Sequence, residues 1–492
     1  MRFPFDFSKL ALRFHRQKFV PLQEVDENLS REEVRRKRRQ KEEMQAYAAV
    51  GGAAVAVVVF LIVIIHLLTG GKAGKQEAKA KQSQQPRTKV EQASESAQNT
   101  EAEQGEEESD IAKQVAEAAA KEEAKQAEEN PVPDEVKILD EVIAGYLKSM
   151  SLEEKVAALF MVQPEQLMNT GAMLKAGGDV SDALSQYPVG GILFTEKNMK
   201  DGDQFLELVS NMRTYCNKET FMAVAEEGGK DSPFYKKKLV EEVTLSQSEI
   251  GKQKGVADAY SVGIEFGQRL RAFGLDMNLA PVTDVVLDKG SAITSRSFGD
   301  DQEDVITFSK SVMNGMIDQY VRPVIKYFPS YGDVKTDGTA GEVVSKRTLE
   351  DLQKNEMEVY KQMIQAGANI IMVSEVEMPE ITGDDTPACF SEKIVTDLLR
   401  KELEFDGIVM TDYVNKGAIN KTYKQSAVAV EAVKAGCDMI VAPGKFKDEY
   451  NGLLKAVQDG EITEERIEES VYRIYRVKYK NLIDYENYTP EE

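Results

Sequence analysis

A parallel β/α barrel is the fold that the sequence predicts for residues 134 to 482, and two observations predict it. Short apolar runs of four to eight residues occur eight times in this part of the chain, and segments with a helical spacing of apolar residues separate them. Strand and helix alternating over about 350 residues is typical of a parallel barrel. A doubly wound open sheet has the same alternation and is the alternative fold.

Each apolar run has the length of a buried strand in a parallel sheet. The segments 256–274 and 349–368, which lie between such runs, have apolar residues three and four positions apart, and this spacing predicts a helix in each. The predicted strands are ALFMVQ (158–163), VGGILF (189–194), FMAVAEE (221–227), LDMNLAPV (275–282), RPVIKYF (322–328), NIIMVSEV (369–376), FDGIVMTD (405–412) and CDMIVAP (437–443).

Charged side chains stand at or just beyond the ends of most predicted strands. In a barrel the carboxyl ends of all strands meet on one face, and active sites lie on that face. The sequence therefore predicts a cluster of charged groups there, formed by Glu226, Glu227, Asp284, Lys326, Glu375 and Asp412.

The N-terminal part of the chain divides into segments of different character. Residues 1–45 contain the basic stretch RRKRRQK (35–41), and residues 46–69 form an uncharged run close to the roughly 20 residues that cross a bilayer as a helix. We expect a retained transmembrane helix, with the N-terminus in the cytoplasm and the barrel outside. Residues 70–133, rich in Ala, Gln, Glu and Lys, predict a disordered linker. Residues 483–492 are expected to form a C-terminal tail.

Composition excludes several classes of function. The net charge of −22 argues against binding nucleic acid by overall charge, and the three cysteines have no spacing typical of a zinc ribbon or a disulfide framework. The chain has two histidines, His15 and His66, and both precede the predicted barrel. The barrel therefore has no Ser-His-Asp triad, Cys-His pair or histidine zinc site. Grouped carboxylates remain, and they suit glycoside hydrolysis or a divalent-metal site.

Nine motifs occur in the predicted barrel in this order along the chain: SLEEKVAALFMVQ, VGGILF, EEGG, GLDMNLAPVTDV, SRSFGDD, KYFP, FDGIVMTD, AVEAVKAGCDMIVAP and GEITEERIEESVYRIYRVK. In this order they resemble glycoside hydrolase family 3, in particular its β-N-acetylglucosaminidase (β-N-acetylhexosaminidase) branch. The resemblance covers essentially the whole predicted barrel. It implies a TIM-like (β/α)8 fold, a carbohydrate ligand, and neither a cofactor nor a metal.

The resemblance also implies roles for individual residues. Asp412 of MTDY matches the catalytic nucleophile of a retaining mechanism. Arg296 of SRSFG and Lys326 of KYFP match residues that contact the sugar. Glu227 of EEGG and Tyr327, which replaces a family histidine, complete the implied substrate-binding set.

The position of the family acid/base is not kept. Where the branch has Asp-Ser-His, this chain has Asp337, Gly338 and Thr339, and a threonine has no proton that it can transfer near neutral pH. We expect Asp337 or Glu375 to supply the acid instead. Further departures from the family pattern are Ala225 for an aspartate, Lys230 for an arginine, and tyrosines at 327 and 331 for histidines.

Three interpretations of function remain open from the sequence. The first is an extracytoplasmic β-N-acetylhexosaminidase that cleaves cell-wall glycan containing N-acetylglucosamine. The second is a catalytically inactive relative that binds glycan or a partner protein in the cell envelope. The third is a structural scaffold without sugar affinity. None of them involves nucleic acid.

Overall fold

The protein was analysed as a computed structural model, which describes residues 134–216, 219–253, 255–339, 341–483 and 485. These residues belong to a compact unit that begins at Asp134. The predicted cytoplasmic segment, transmembrane helix and linker, and most of the predicted C-terminal tail, lie outside the described residues. Within the described residues, no helix combines the length and the apolar character needed to cross a membrane.

The described strands form one sheet in which every neighbouring pair is parallel, in the order β5-β4-β3-β2-β1-β9-β8-β7-β6. Every predicted strand is present, although each is shorter than its apolar run or shifted slightly within it. The strands are β1 (Phe160–Val162), β2 (Gly191–Leu193), β3 (Phe221–Val224), β4 (Met277–Asn278), β5 (Arg322–Pro323), β6 (Ile325–Phe328), β7 (Ile370–Val373), β8 (Ile408–Tyr413) and β9 (Met439–Val441).

The sheet curves into a barrel because its two ends are parts of one strand. β5 pairs with β4, β6 pairs with β7, and only Val324 separates β5 from β6. The Val324 N–H donates to the carbonyls of Asn278 and Ala280 at 2.9 and 3.1 Å, which interrupts the strand. β1 pairs with both β2 and β9. The predicted TIM-like barrel is therefore confirmed, and the open sheet is excluded.

Helices follow the strands around the outside of the barrel, as its alternating pattern requires. They are α1 (Asp134–Ser149), α2 (Leu152–Ala158), α3 (Pro164–Met168), α4 (Gly178–Gln186), α5 (Gly202–Tyr215), α6 (Pro233–Lys236), α7 (Gln247–Gln253), α8 (Val256–Ala272), α9 (Gln302–Asp318), α10 (Leu349–Lys354), α11 (Glu356–Gln365), α12 (Pro379–Thr382), α13 (Gly417–Asn420), α14 (Gln425–Ala435), α15 (Phe446–Gln458) and α16 (Glu464–Tyr479), with a π-type helix at Lys393–Glu402 between α12 and α13.

The prediction of a single helix over 349–368 is wrong, because the segment breaks at Asn355 into α10 and α11. The Gln302 side chain donates to the Asn355 carbonyl at 2.5 Å. Arg347 forms an ion pair with the buried Glu356 at the start of α11. Apolar spacing does not report such tertiary contacts. The prediction over 256–274 is confirmed by α8.

Helices α8 and α9 pack closely because glycines face each other across the contact. A Cβ atom added to Gly315 would lie 2.4 Å from the Tyr260 carbonyl oxygen and 2.7 Å from the Ile264 nitrogen. A Cβ atom added to Gly263 would lie 2.2 Å from the Val312 carbonyl oxygen. All three contacted atoms are backbone atoms, so the helices would have to separate to admit a methyl group.

We expect Gly315→Ala to destabilise the fold by about 1–3 kcal/mol, the usual cost of overpacking a close contact. The measurement is the free energy of unfolding from urea titrations. Gly145→Ala is the matched control, since Gly145 also lies within a helix but has nothing within 4 Å of its added Cβ. There, helix propensity favours the alanine. Equal effects of the two substitutions would contradict the close packing.

Candidate active site

Asp412 lies near the end of β8 and is held by three donors. Its side chain is 2% exposed. Oδ1 accepts a hydrogen bond from the Tyr413 N–H at 2.7 Å. Oδ2 accepts from Lys416 Nζ at 2.5 Å and from the Tyr331 hydroxyl at 3.2 Å. The carboxylate therefore has a fixed orientation, at the end of the barrel where the strands terminate.

Glu375 follows β7 and lies next to Asp412. It is fully buried, and its Oε2 is hydrogen bonded to the same Tyr331 hydroxyl. Lys416 Nζ is 3.4 Å from Glu375 Oε1 and 3.5 Å from Oε2. Because Lys416 Nζ contacts both carboxylates, their oxygens are no farther apart than the sum of two such contacts. This upper limit is compatible with the roughly 5–5.5 Å between the two carboxyl groups of a retaining glycosidase.

The environment shifts the pKa values of the two carboxyl groups in opposite directions. Burial, and then the negative charge of Asp412, raise the pKa of Glu375 to about 8, although Lys416 and Tyr331 oppose this. Burial also acts to raise the pKa of Asp412, but the charge and hydrogen bond of Lys416 and the Tyr413 N–H outweigh it, so that pKa is lowered. At neutral pH the pair therefore holds one proton, and Glu375 carries it.

A second charged group surrounds Glu227, which follows β3. Its Oε2 accepts from Arg296 Nε at 2.7 Å, and its Oε1 accepts from Arg296 Nη2 at 2.6 Å and Lys326 Nζ at 2.5 Å. Burial acts to raise the pKa of Glu227, but the two cations hold it well below its usual range. The side chain of Lys326 is 2% exposed, whereas those of Glu227 and Arg296 are 17% and 27% exposed. Glu227 and Arg296 thus form the accessible part of this group.

Two tyrosines connect the two charged groups. The rings of Tyr327 and Tyr331 pack edge to face with centroids 4.9 Å apart. The Tyr327 hydroxyl accepts a hydrogen bond from Arg296 Nη2 at 2.6 Å. Lys416 Nζ lies 5.8 and 5.6 Å from the centroids of the Tyr327 and Tyr331 rings, within the range of a cation–π contact.

Asp284 orders the turn that carries these tyrosines. It is buried, and its carboxylate accepts the backbone N–H groups of Tyr327 at 2.9 Å and Tyr331 at 2.6 Å. Burial raises the pKa of Asp284 to about 6, against the lowering effect of these two bonds. Its function in the structure is therefore to position the turn after β6.

Comparison with known proteins identifies the family to which the barrel belongs. The model of the glycosyl hydrolase family 3 N terminal domain matches residues 151–477, which is more than half of the chain. The chain belongs to glycoside hydrolase family 3.

Curated relatives in this family are β-hexosaminidases. That of Methylococcus capsulatus is 28% identical over 267 residues, which cover 54% of this chain and 79% of the relative. That of Tolumonas auensis is 30% identical over 265 residues, which cover 53% of this chain and 77% of the relative. The predicted membership of the β-N-acetylglucosaminidase branch is thereby confirmed.

Solved structures of the family are similar over the barrel. A family 3 β-N-acetylglucosaminidase from Paenibacillus sp. str. FPU-7 has a TM-score of 0.63 and 28% identity, and the match covers 70% of this chain and 64% of that chain. A β-N-acetylhexosaminidase from Beutenbergia cavernae has a TM-score of 0.58 and 26% identity, with 68% of this chain and 99% of that chain covered. The match thus leaves out about a third of the Paenibacillus protein, whereas it spans the Beutenbergia protein almost completely.

The loop that replaces the family's Asp-Ser-His lies over Glu375 but contributes no proton donor next to it. Asp337 Oδ1 accepts the Thr339 N–H at 3.1 Å, a bond within the loop itself. Thr339 is exposed. The carbonyls of Gly338 and Thr339 accept the N–H groups of Ala418 and Gly417 at 3.0 and 3.2 Å, which attaches the loop to the start of α13.

Of the two residues predicted to replace the family acid, the structure places Glu375 beside Asp412. A Cβ atom added to Gly338 would lie 3.5 Å from Glu375 Oε2, so the loop backbone covers this carboxyl group. Asp337 remains half-buried in the loop. Burial acts to raise the pKa of Asp337, but its bonds to Thr339 outweigh it, so the pKa is lowered and Asp337 is ionised at neutral pH.

The other residues that the sequence indicated near these strand ends do not join the two charged groups. Glu226 is buried and accepts from the Ser232 hydroxyl at 2.6 Å and the Gly228 N–H at 2.8 Å. Lys230, in the place of the family arginine, is exposed. Within the described residues, no group of three or more His, Cys, Asp or Glu side chains is arranged to hold a metal ion.

Lys416 is the site residue that sequence reasoning missed. It stands four positions after Asp412, a spacing at which side chains meet on a helix. Lys416 itself precedes α13 as its N-terminal cap residue, and it turns back to reach both carboxylates. The spacing was the available signal, but the turn that uses it follows from tertiary structure.

We expect Glu227→Gln to destabilise the protein by about 3–5 kcal/mol, because the buried Lys326 and the partly exposed Arg296 would remain beside each other without an anion. The measurement is the free energy of unfolding at neutral pH. The folded state lowers the pKa of Glu227, so the ionised side chain stabilises the fold. This contribution to the free energy of unfolding is complete above about pH 4.3, the usual pKa of a glutamate, and is lost as the pH falls below it. The difference in the free energy of unfolding between variant and wild type therefore becomes smaller at acidic pH.

Glu350→Gln is the matched control for Glu227→Gln. Glu350 pairs with Lys354 one helical turn away, and their side chains are 76% and 65% exposed. Exposed pairs contribute less than about 1 kcal/mol. A loss at Glu227 no larger than at Glu350 would refute the stabilising role of the buried group.

Proposed function

We propose that this chain is a membrane-anchored, extracytoplasmic β-N-acetylhexosaminidase that cleaves cell-wall glycan containing N-acetylglucosamine by a retaining mechanism. Asp412 is the nucleophile and Glu375 is the general acid and base. The observation that carries the proposal is the contact of both carboxyl groups with Lys416 and Tyr331, together with their opposed pKa shifts.

In the first step an oxygen of Asp412 attacks the anomeric carbon of the sugar. The glycosidic bond breaks, and the departing oxygen takes the proton of Glu375, which leaves a glycosyl–Asp412 ester. In the second step Glu375, now ionised, removes a proton from water as the water oxygen attacks the anomeric carbon. Asp412 is released as a carboxylate and Glu375 is protonated again.

The residues around Glu227 would bind the sugar. Arg296 and Glu227 are the partly exposed members of their group and can exchange hydrogen bonds with hydroxyl groups. Lys326, beneath them, keeps Glu227 ionised, and Tyr327 holds Arg296 in place. In this way a charged network on the barrel face supplies the contacts that the family motifs imply.

We expect Glu375→Gln to lower kcat/KM by about 10²- to 10⁴-fold on a methyl β-N-acetylglucosaminide, whose leaving group requires protonation. The loss should be far smaller on the dinitrophenyl glycoside, which departs without a proton. Asp412→Asn should abolish turnover of both. Asp337→Asn tests the other sequence-derived acid: if it, and not Glu375→Gln, has the leaving-group-dependent loss, the assignment to Glu375 is wrong.

A binding protein without catalytic activity is the second candidate, and one observation favours it. Asp412 is 2% exposed and Glu375 is fully buried, so a sugar must displace covering side chains to reach them. If the wild type does not turn over the dinitrophenyl substrate faster than Asp412→Asn, but binds N-acetylglucosamine oligomers in calorimetry, this function replaces the first. Loss of binding in Arg296→Ala would locate the ligand at the same face.

The anchor is part of the proposal and is supported by the uncharged run 46–69 and the basic residues before it. We expect the full chain to fractionate with membranes and its barrel to be cleaved by protease added outside spheroplasts. Deletion of residues 46–69 should remove the membrane association. A full chain that fractionates without membranes, or a barrel protected from external protease, would contradict the anchor or its orientation.

A further inference from the structure

We propose that Lys416 is a positioning residue that assigns the negative charge of the carboxyl pair to Asp412 and the proton to Glu375. The inference rests on the proposed function, since it concerns the same two groups. It adds a third participant that was not among the predicted site residues.

The first step of the argument is the asymmetry of the Lys416 contacts. Its Nζ atom lies 2.5 Å from Asp412 Oδ2 but 3.4 Å from the nearer oxygen of Glu375. A cation stabilises an ionised carboxylate more strongly at the shorter distance. Because the groups are buried, salt screens this difference only weakly. Lys416 therefore favours the state in which Asp412 is the ionised partner.

The second step is the count of protons around Tyr331. A tyrosine hydroxyl has one proton and can donate to one carboxylate, yet this hydroxyl contacts Glu375 and Asp412 together. The Tyr331 proton satisfies one of the two contacts, and the other is satisfied when the carboxyl group that makes it carries a proton of its own. With both groups ionised, one contact would join two acceptors. The hydroxyl thus requires one proton on the pair, and Lys416 determines which carboxyl group holds it.

The third step concerns the other charges that face the pair. Lys326 and Arg296 are both bonded to Glu227, whose single negative charge compensates one of the two, and the charge of Lys326 also acts to lower the pKa of Asp412. Asp337 faces Lys416 from the loop after β6 and adds a negative charge there. The remaining titratable groups packed around the pair are Tyr327, Tyr413 and Cys389, whose pKa values burial raises, so they stay neutral.

The position of Lys416 is also enforced by its surroundings. Its side chain is 13% exposed. The ammonium group lies 5.6 to 5.9 Å from the ring centroids of Tyr327, Tyr331 and Tyr413. Burial acts to lower the pKa of Lys416, but the carboxylates outweigh it and raise the pKa, so the group is charged throughout the working range.

The test is the pH dependence of kcat/KM for Lys416→Met, with Lys416→Arg as the variant that keeps the charge. Removing the cation should raise the pKa values of both carboxyl groups by roughly one to three units. The acidic limb, which reports Asp412, and the alkaline limb, which reports Glu375, should both move to higher pH. Lys416→Arg should keep the wild-type limbs. A Lys416→Met profile that is merely lower, at unchanged pH, would overturn the inference.

A second readout separates this inference from the proposed function. The carboxyl C=O infrared band of protonated Glu375, identified by its loss in Glu375→Gln, can be titrated without any turnover. It should disappear near pH 8 in the wild type and at higher pH in Lys416→Met. If the wild type is inactive but the titration shifts in Lys416→Met, the proposed hydrolase function is refuted and the positioning role of Lys416 is supported. An unchanged titration would refute that role even in an active enzyme.

Two controls complete the experiment. Lys401→Met removes an exposed lysine that pairs with Asp397 one helical turn away, and its pH profile should match that of the wild type. Lys416→Gln serves if Lys416→Met does not fold, as judged by circular dichroism, because it also removes the charge and keeps a polar side chain. The same upward movement of both limbs is expected from it.

Discussion

The pairing of β1 with β9 is the constraint on which the rest of the structure depends. It joins the first strand to the last, so strands far apart in the chain end on one face. Glu227, Lys326, Glu375 and Asp412 lie on or just after different strands, yet they belong to two charged groups that Tyr327 and Tyr331 connect. Closure arranges the polar strand ends around one face, and the pairing of β7 with β8 places Glu375 beside Asp412.

Charge compensation organises this face. Each buried anion has a neighbouring donor or cation: Glu227 has Arg296 and Lys326, and Asp412 has Lys416. Glu375 shares Lys416 with Asp412, and its proton takes the place of a second cation. Such an arrangement offsets the free-energy cost of burying charged groups. It also produces two carboxyl groups that differ in protonation. Stability and chemistry therefore follow from the same contacts.

The departures from the family pattern have a common physical consequence. Replacing histidines by Tyr327 and Tyr331 substitutes groups that stay neutral when buried for groups that titrate near neutral pH. The task of holding a transferable proton then passes from the loop at Thr339 to a carboxyl group inside the barrel. Glu375 meets that requirement through burial, because a carboxyl group needs an apolar environment and a nearby negative charge to remain protonated at pH 7.

Sequence alone predicted where the strands lie and, from the motif order, the family, because apolar periodicity and motif order are local properties of the chain. The strand pairing excluded the open sheet and divided one predicted strand at Val324. It also indicated Asp412, Arg296, Lys326 and Glu227, which stand at positions that the family motifs identify. Tertiary structure alone decided the break at Asn355, the position of Glu375 rather than Asp337 beside Asp412, and the contact of Lys416 with both carboxyl groups. Each of these depends on distances between segments far apart in sequence or on how a turn folds back. Burial and through-space charge set the protonation of Glu375, and neither quantity is encoded at a single position of the sequence.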